Sequence, residues 1–463
     1  MKPVRFIIYT ASLLLCGAIG ACRKDFLDVS PSISLAVPES LADYQSLLDN
    51  SQFMDYNPGY AEISADNYYI SYTVFQTANY DFQNCYTWTS NTWAGGSGTD
   101  IADWVYPYSA VYTADVVLAG LPSIQPTAAT SVTWNFIKGQ ALWLRAFNLY
   151  NLAQEFAQPY KPASAASDEG LPLKLTSDAN VVVPRSNVEA TYNQIVQDLL
   201  QAKDLLSNVG PDVTKLNRPS KATCLGLLAR TYLIMQDYTD AGKYADSSLS
   251  YYNTLIDYNN LNPATRVPFP KANPEVLVEA YQVSFGILGV NTTTYTDSVL
   301  YASYAANDLR KKIYFNLNTS TGLPYFRGNY TGNSLQFIGV ATDEMYLTRA
   351  ECYARGGDAT DAMNDLNTLM VKRWNNMVPF PTYTATSATD ALNQILTERR
   401  KELCFRGLRW ADLRRLNQDP AYAITLQRLL NGTTYSLPPN DLRYTLLIPL
   451  DEIQLSGIQQ NSR

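Results

Sequence analysis

Two segments of the chain carry the same pattern of small and apolar residues, and this pattern limits the fold more than any other feature. In residues 220–252 and again in residues 343–374, such residues recur at intervals of three and four. That spacing places them on one face of an α-helix. The first copy consists of Leu225, Leu228, Ala229, Tyr232 and Ala241, and the second of Tyr346, Ala350, Tyr353, Ala362 and Leu366. Each segment is therefore predicted to form two helices that pack against each other across an alanine.

The spacing within each copy is that of a tetratricopeptide hairpin. Ala229 and Ala350 are out of step with a repeat of about 34 residues, so the two hairpins do not belong to a simple tandem array. A different kind of segment must separate them. A small residue is commonly required where two helices cross, so one match to the pattern would be weak evidence for such a hairpin. The match of two copies at the same offsets is stronger evidence.

Further helices are indicated by periodicity and by N-terminal signals. Apolar residues recur with helical spacing in residues 101–121 and 134–157. Ser220 is predicted to be the N-cap of the first hairpin, and Ser186 with Glu189 fits a capping box after a proline. The predicted fold class is mainly α: a tetratricopeptide-like scaffold with long loop insertions and a few short strands.

Composition along the chain divides it into three folded parts. Residues 41–252 and 341–463 read as helical regions that pack into one compact unit. Between them, residues 253–340 are rich in Pro, Asn, Thr, Gly and Tyr, and short strands are predicted at 276–280 and 335–340. Long loops on a rigid scaffold are where binding residues usually lie, so this insertion is the predicted ligand face.

The N-terminus has the form of a lipoprotein leader. Lys2 and Arg5 precede an apolar run that is shorter than the roughly 20 residues of a membrane span, and small residues stand just before Cys22. Residues 1–21 are predicted to be a signal peptide, with lipid attached at Cys22 and a tether over residues 22–40. A plain signal peptide with an incidental cysteine is the alternative.

Composition restricts the chemistry. The chain contains no histidine, which removes the commonest general base, the usual zinc ligand and every Ser–His or Cys–His arrangement. The net charge of −7 argues against nucleic acid as a partner. The 34 tyrosines and 7 tryptophans offer flat apolar faces with a polar edge, which suit sugars or peptides. No cofactor and no metal site is predicted.

Four cysteines lie well beyond the leader and form no C-x-x-C pair. They are Cys85, Cys224, Cys352 and Cys404. Buried free thiols are the favoured interpretation, because most of these residues stand among helix formers and apolar neighbours. A disulfide in an exported chain stays open as the alternative.

Residues 398–415 form the most specific string in the chain, an amphipathic helix broken at Gly407 and followed by a second short helix. Its arginines and acids alternate with apolar anchors. Arginine pairs with carboxylates in a planar, bidentate manner, which can hold neighbouring helices together. A structural clamp is therefore favoured over an active site, and it is assigned to Arg399, Glu402, Arg409, Trp410 and Asp412.

An ordered set of motifs resembles the SusD/RagB family of outer-membrane lipoproteins from Bacteroidetes. They are Asp25-Phe26-Leu27-Asp28, Leu144-Arg145-Ala146, Gly170-Leu171-Pro172-Leu173, Arg218-Pro219-Ser220-Lys221-Ala222, Arg349-Ala350-Glu351, the string at 398–415 and Ile448-Pro449-Leu450. The resemblance covers nearly the whole mature chain. One departure is Arg406, where the family more often has an acid.

The resemblance implies a non-catalytic, exterior-facing binding lipoprotein of the outer membrane. Such proteins capture oligosaccharides, or peptides in RagB-like members, and pass them to a SusC-like TonB-dependent channel. A lipid-anchored glycoside hydrolase is a remoter alternative, since acids such as Asp66, Asp100 and Asp103 are available and hydrolysis needs two carboxylates. A repeat scaffold that binds only protein is a third alternative.

Candidate ligand contacts come from two loop-rich segments, residues 51–100 and the insertion. They combine aromatic rings for stacking with polar groups for hydroxyls. They are Asp66, Asn67, Tyr68, Tyr69, Trp88, Asn91, Trp93, Tyr295, Tyr325 and Tyr330. For any single tyrosine, packing in the core is about as well supported as contact with ligand.

Overall fold

The computed structural model describes residues 38–50, 52–282, 288 and 291–463. The leader, Cys22 and the tether up to residue 37 lie outside the described residues. Lipid attachment at Cys22 therefore stays a prediction.

The described chain is mainly helical, which confirms the predicted fold class. The longest helix lies at the centre, and its residues from Gly139 to Phe156 are buried except Asn151. The helices are α1 (Leu41–Leu48), α2 (Gln52–Asp55), α3 (Tyr60–Ser64), α4 (Tyr72–Thr77), α5 (Tyr80–Tyr86), α6 (Ala102–Gly120), α7 (Ser131–Phe156), α8 (Val188–Leu205), α9 (Lys221–Ile234), α10 (Tyr238–Tyr251), α11 (Ser298–Ser303), α12 (Arg310–Ile313), α13 (Thr342–Arg355), α14 (Ala359–Met370), α15 (Ala388–Glu402), α16 (Arg409–Leu416) and α17 (Leu450–Ser456).

Both predicted hairpins are present, as α9–α10 and α13–α14. Each turns through a residue of positive φ, Gln236 at 62° and Gly357 at 92°. An aspartate then caps the second helix in both, since Asp237 accepts from the Asp240 amide and Asp358 from the Asp361 amide. The shared turn explains why the two hairpins have the same spacing.

The alanines at the crossings are fully buried, as the pattern requires: Ala229, Ala241, Ala350 and Ala362 each show no exposed surface. The two hairpins also pack on each other through α10 and α13. There the backbone of Gly242 approaches Cys352 so closely that a Cβ would lie 2.9 Å from the cysteine Cβ. Small residues thus set both the packing within the hairpins and the packing between them.

One predicted helix start is right and one is wrong. Ser220 caps α9 and forms a reciprocal capping box with Thr223. The cap of α8 is Asn187, whose side chain accepts from the Ala190 amide at 2.7 Å, and not Ser186. Ser186 belongs to a strand, and its hydroxyl donates to the Leu171 carbonyl instead. Because Ser186 is paired in this strand, the N-cap of α8 lies one residue later than predicted.

Short strands join segments that are distant in the sequence. The predicted strand at 276–280 is present as a shorter strand. The one predicted at 335–340 is reduced to its last residue in β8 and an isolated bridge between Phe337 and Tyr281. The strands are β1 (Tyr68–Ile70), β2 (Glu169–Pro172), β3 (Arg185–Asn187), β4 (Val276–Val278), β5 (Thr294–Thr296), β6 (Phe315–Leu317), β7 (Pro324–Phe326), β8 (Val340–Ala341), β9 (Leu426–Leu430) and β10 (Thr433–Leu437).

The largest sheet has four antiparallel strands in the order β1-β5-β7-β6. Its first strand comes from the N-terminal helical region, and the other three come from the insertion. Below it, Phe326 of β7 stacks on Phe405 of the C-terminal string, with ring centroids 4.5 Å apart. This sheet is therefore where the insertion meets both helical regions.

Two further findings concern membrane-spanning helices and the state of the cysteines. In the part of the chain that the structure describes, no helix combines the length and the apolar character needed to cross a bilayer. The cysteines described there, Cys85, Cys224, Cys352 and Cys404, are buried and unpaired, as predicted. Burial raises the pKa of each thiol, which keeps it in the unreactive protonated form.

Candidate functional site

Three tyrosines stand side by side on the outer face of the four-stranded sheet. Tyr69 of β1 pairs in register with Tyr295 of β5, and Tyr295 pairs with Tyr325 of β7. On the last strand, Asn316 of β6 pairs with Tyr325. We call these four residues the tyrosine row. All three tyrosines were candidates from sequence, although they come from two separate segments.

The row faces outward because side chains alternate along a strand. The neighbours of Tyr69 and Tyr295 in their strands, Tyr68 and Thr296 among them, are buried, whereas Tyr69, Tyr295 and Tyr325 are half-buried. Adjacent strands lie about 4.8 Å apart. Three tyrosines in register therefore form a strip about 10 Å long, with part of every ring open to solvent.

The geometry of the row suits stacking with a flat ligand. The rings of Tyr69 and Tyr295 are 5.5 Å apart and inclined at 47°. At the other end, the side-chain amide of Asn316 donates to the Tyr325 hydroxyl at 3.2 Å. Partial burial, followed by the nearby Tyr295 and Asp297, raises the pKa of Tyr69. The Tyr69 hydroxyl thus stays protonated and can both donate and accept hydrogen bonds.

A charged cluster lies at the β1 end of the row. Arg409 donates from two nitrogens to the Asp66 carboxylate, at 2.7 and 2.9 Å. Arg400 donates to the Asp66 carbonyl at 3.0 Å and lies 3.4 Å from Asp297, the residue that follows β5. Burial would raise the pKa of Asp66, but Arg409 outweighs it and holds that pKa far below the ordinary value. Asp66 is therefore ionised and already paired within the protein.

Both candidate tryptophans are buried, which corrects their assignment as stacking platforms. Trp88 is 3% exposed, and its indole N–H donates to the Ser64 carbonyl at 3.0 Å. Trp93 is 2% exposed and donates to the Ile448 carbonyl at 3.2 Å. An indole has one donor, and once a backbone carbonyl accepts from it the ring can be buried without penalty. Polar neighbours in the sequence therefore do not show whether these indole rings are exposed or buried.

Three other candidates are also interior residues. Asn67 donates to Glu62 at 3.0 Å, and the Tyr68 hydroxyl donates to the Ile63 carbonyl at 3.0 Å. Tyr330 lies in a buried polar network with Glu275. Each is buried and makes at least one side-chain hydrogen bond inside the protein, so none presents a surface to a ligand in this structure. Asn91 is exposed, and its side chain accepts from the Trp93 amide.

The residues assigned to the C-terminal clamp lie in buried ion pairs and ring contacts. Arg399 pairs with Asp412 at 2.9 Å, and Glu402 accepts from two arginines of other segments. Trp410 is 1% exposed and packs on Tyr444, with centroids 4.7 Å apart. These contacts join the string at 398–415 to the scaffold and, through Arg409, to the sheet.

Three polar residues of the site were not singled out from sequence: Asn316 in the row, and Asp297 and Arg400 beside it. Asn316 is exposed beside the buried Phe315, but the exposed Leu317 follows it, so this short strand shows no alternation that could have placed Asn316 from sequence. Asp297 caps α11 and reads from sequence as an ordinary N-cap. Arg400 stands within the clamp string, where nothing separates it from its structural neighbours.

The acids that could have served a hydrolase are differently placed. Asp103 is fully buried, and its carboxylate accepts from the Gly59 and Tyr60 amides at 2.6 and 2.7 Å. Asp66 is held by Arg409, while Asp100 is exposed. Two of the three acids are thus committed to structural contacts.

Comparison with known proteins identifies the fold and the family. Residues 25–233 match a family model described as starch-binding and associating with the outer membrane, and residues 342–445 match a model described as the SusD family. No curated protein matches the chain.

Among solved structures, a SusD superfamily protein from Bacteroides thetaiotaomicron has a TM-score of 0.73 at 22% identity, over 92% of this chain and 100% of its own. A SusD-like carbohydrate-binding protein from Bacteroides vulgatus has a TM-score of 0.69 at 21% identity, over 91% and 97%. A laminarin-binding SusD-like protein has a TM-score of 0.64 at 17% identity, over 91% and 98%. At these identities the likeness concerns the fold.

Proposed function

The chain belongs to the SusD/RagB family, and from that membership we propose that it is a non-catalytic, lipid-anchored binding protein of the outer cell surface. In this proposal it captures oligosaccharides and delivers them to a TonB-dependent, SusC-like transporter. The tyrosine row is the observation that carries the binding function. Its length of about 10 Å along three strands would seat two to three sugar rings.

Each part of the row has a role in this proposal. The open faces of Tyr69, Tyr295 and Tyr325 stack on the apolar faces of the sugar rings, and their hydroxyls bond to the ring substituents. Asn316 at one end and Asp297 at the other supply neutral and charged hydrogen-bonding groups. A laminarin-binding protein of the same fold supports a glucan as the first ligand to test.

Peptide capture is the second candidate, because tyrosine faces also pack on peptide side chains. Saturation-transfer NMR with a pool of oligosaccharides and a pool of short peptides separates the two. Signal from glycan protons that is lost in a Tyr295→Ala variant supports the proposal. Signal from the peptide pool alone would assign the protein to the RagB-like mode.

The transporter partner has its own test. The hairpin pair α9–α10 and α13–α14 has an open groove of about 940 Å³, lined by residues such as Tyr238, Lys243 and Arg349. Such a surface suits a large protein partner. Affinity purification from detergent-solubilised outer membrane should recover a large barrel protein together with this chain, and its absence would contradict the delivery step.

Absence of catalysis is tested directly. Purified protein incubated with each glycan that binds should release no new reducing ends. If reducing ends do appear, an Asp100→Asn variant should be compared, because Asp100 is the exposed acid of the three considered. Hydrolysis that is abolished by this change would assign the chain to the hydrolase class.

A further inference from the structure

A buried ion-pair network connects the insertion to the C-terminal helices, and its formal charges do not balance. All members are at most 5% exposed, in the part of the chain that the structure describes. The four cations are Arg310, Arg373, Lys401 and Arg406, and the five carboxylates are Glu275, Asp308, Asp343, Glu398 and Glu402. The nearby Arg230–Glu344 pair is neutral by itself. One carboxylate of the network therefore lacks a counter-charge.

The contacts at one end of the network show where the excess lies. Glu402 is bound by both Arg373 and Arg310, at 2.8 and 3.0 Å. Among the described residues, the one cation paired with Glu275 is Arg373, at 2.9 Å, and that guanidinium is shared with Glu402. Removing a carboxylate from water without a full counter-charge is costly, and binding a proton is the usual way to avoid that cost.

The number of hydrogen-bond donors around Tyr330 independently indicates an additional proton at this end of the network. The Tyr330 hydroxyl oxygen lies 2.9 Å from Glu275 Oε2 and 3.0 Å from Asp343 Oδ2. It also lies 2.7 Å from the Tyr258 hydroxyl, which in turn is 2.9 Å from that of Tyr314. A tyrosine hydroxyl has one hydrogen, so Tyr330 can donate to only one of the two carboxylates. The other short contact requires a proton on the carboxyl group.

Of the two carboxyl groups, Asp343 has a cation of its own, because Arg406 donates directly to the same Oδ2 atom at 2.5 Å. Burial, and after it the nearby Asp343 and Glu402, raise the pKa of Glu275 to about 7 against the pull of Arg373. The geometry, the charge balance and the direction of the pKa shift thus all indicate that Glu275 is the protonated carboxyl group.

We propose that Glu275 carries a proton in the folded protein and donates a hydrogen bond through it to the Tyr330 hydroxyl. Tyr330 in turn donates a hydrogen bond to Asp343. Tyr314 directly precedes β6, and Tyr330 follows β7, so this chain of hydrogen bonds holds two strands of the tyrosine row against the scaffold. Loss of the proton leaves two carboxylates facing one hydroxyl. The attachment of residues 310–330 to the scaffold is therefore weakened as the pH rises.

The direction of the pH effect follows from linkage. Because the folded protein holds the proton more tightly than the unfolded chain does, the stabilisation is fully present below the ordinary glutamate pKa of about 4.5 and is lost as the pH rises through about 7. The groups that face Glu275 are Arg373, Tyr330, Asp343 and Glu402, and the Ile256 amide also donates to it.

Thermal unfolding of the full chain between pH 5 and pH 8 tests the proposal. Glu275→Gln is neutral at every pH and can donate its amide hydrogen to Tyr330, as the protonated acid does. We expect the wild-type protein to lose a few degrees of melting temperature relative to Glu275→Gln across this range. Glu189→Gln, an exposed change at the start of α8, should follow the wild-type profile. An unchanged pH slope in Glu275→Gln would overturn the proposal.

A contrasting variant and a local measurement make the test specific. Glu402→Gln removes a carboxylate held by two arginines and leaves Arg373 to Glu275. It should therefore lower the melting temperature at pH 5 and also reduce the loss between pH 5 and pH 8. Hydrogen exchange, corrected for intrinsic rates, should increase in residues 310–330 between pH 6 and pH 8 in the wild type and stay constant in Glu275→Gln. If Glu275→Gln does not fold at pH 6, the proposal is wrong, because the amide is the closest match to the protonated acid.

Discussion

Replacing Tyr295 by alanine is the sharpest test of the tyrosine row, because this residue is paired on both sides. Tyr69 lies 5.5 Å away on one strand, and Tyr325 is in register on the next. A sugar ring stacked on the open face of one tyrosine would cover on the order of 40 Å² on each partner, which corresponds to about 2 kcal/mol at 25 cal/mol per Å². Ordering costs reduce this value. We expect affinity for a bound oligosaccharide to fall about tenfold, or about 1.4 kcal/mol.

The measurement is isothermal titration calorimetry with the best glycan from a binding screen. Tyr295→Phe keeps the ring face and loses one hydroxyl, so it should weaken binding by roughly threefold. Tyr251→Ala removes an exposed tyrosine of α10 that is not part of the row and should leave the affinity unchanged. If Tyr295→Ala folds and binds within twofold of the wild type, stacking on the row does not provide the binding energy and the proposed site is wrong.

Three further changes test other parts of the argument. Asn187→Ala should cost about 1 kcal/mol, and Ser186→Ala less, because Asn187 provides the N-cap of α8; urea midpoints compare the two. Arg415 holds the pKa of Glu351 down to about 2 despite burial, so the stability that this pair provides should be lost as the pH falls from about 4.5 to 2, and acid unfolding of Glu351→Gln should lack that component. Cys22→Ala should shift the protein from the membrane fraction to the soluble fraction if lipid is attached there.

The helical scaffold could be predicted because its signals are local. The periodicity of the two hairpins, the N-cap at Ser220 and the long central helix all depend on residues within a few turns of each other. The N-cap of α8 could not be predicted to the residue, since Ser186 and Asn187 are both good caps. Pairing of β2 with β3 decides between them, and that pairing depends on residues far away in the sequence.

The candidate site was predicted unevenly for a related reason. Tyr69, Tyr295 and Tyr325 were chosen for residue type in loop-rich segments, and strand register then brings them together. Trp88 and Trp93 were chosen on the same basis and are buried. Three-residue strands are too short to show alternation in sequence, and a tryptophan among polar residues can face either way. Burial of these rings is decided by backbone carbonyls from other segments, which no local pattern reveals.

The tyrosine row is built on strands from two separate parts of the folded chain. β1 belongs to the N-terminal helical region, whereas β5, β6 and β7 belong to the insertion, and each part alone would leave a strand edge unpaired. The C-terminal string holds them together, since Phe405 packs below Phe326 and Arg409 binds Asp66 beside β1. The binding face thus depends on all three parts of the fold. Changes at the buried positions of the string should alter affinity by changing the register and tilt of the tyrosines.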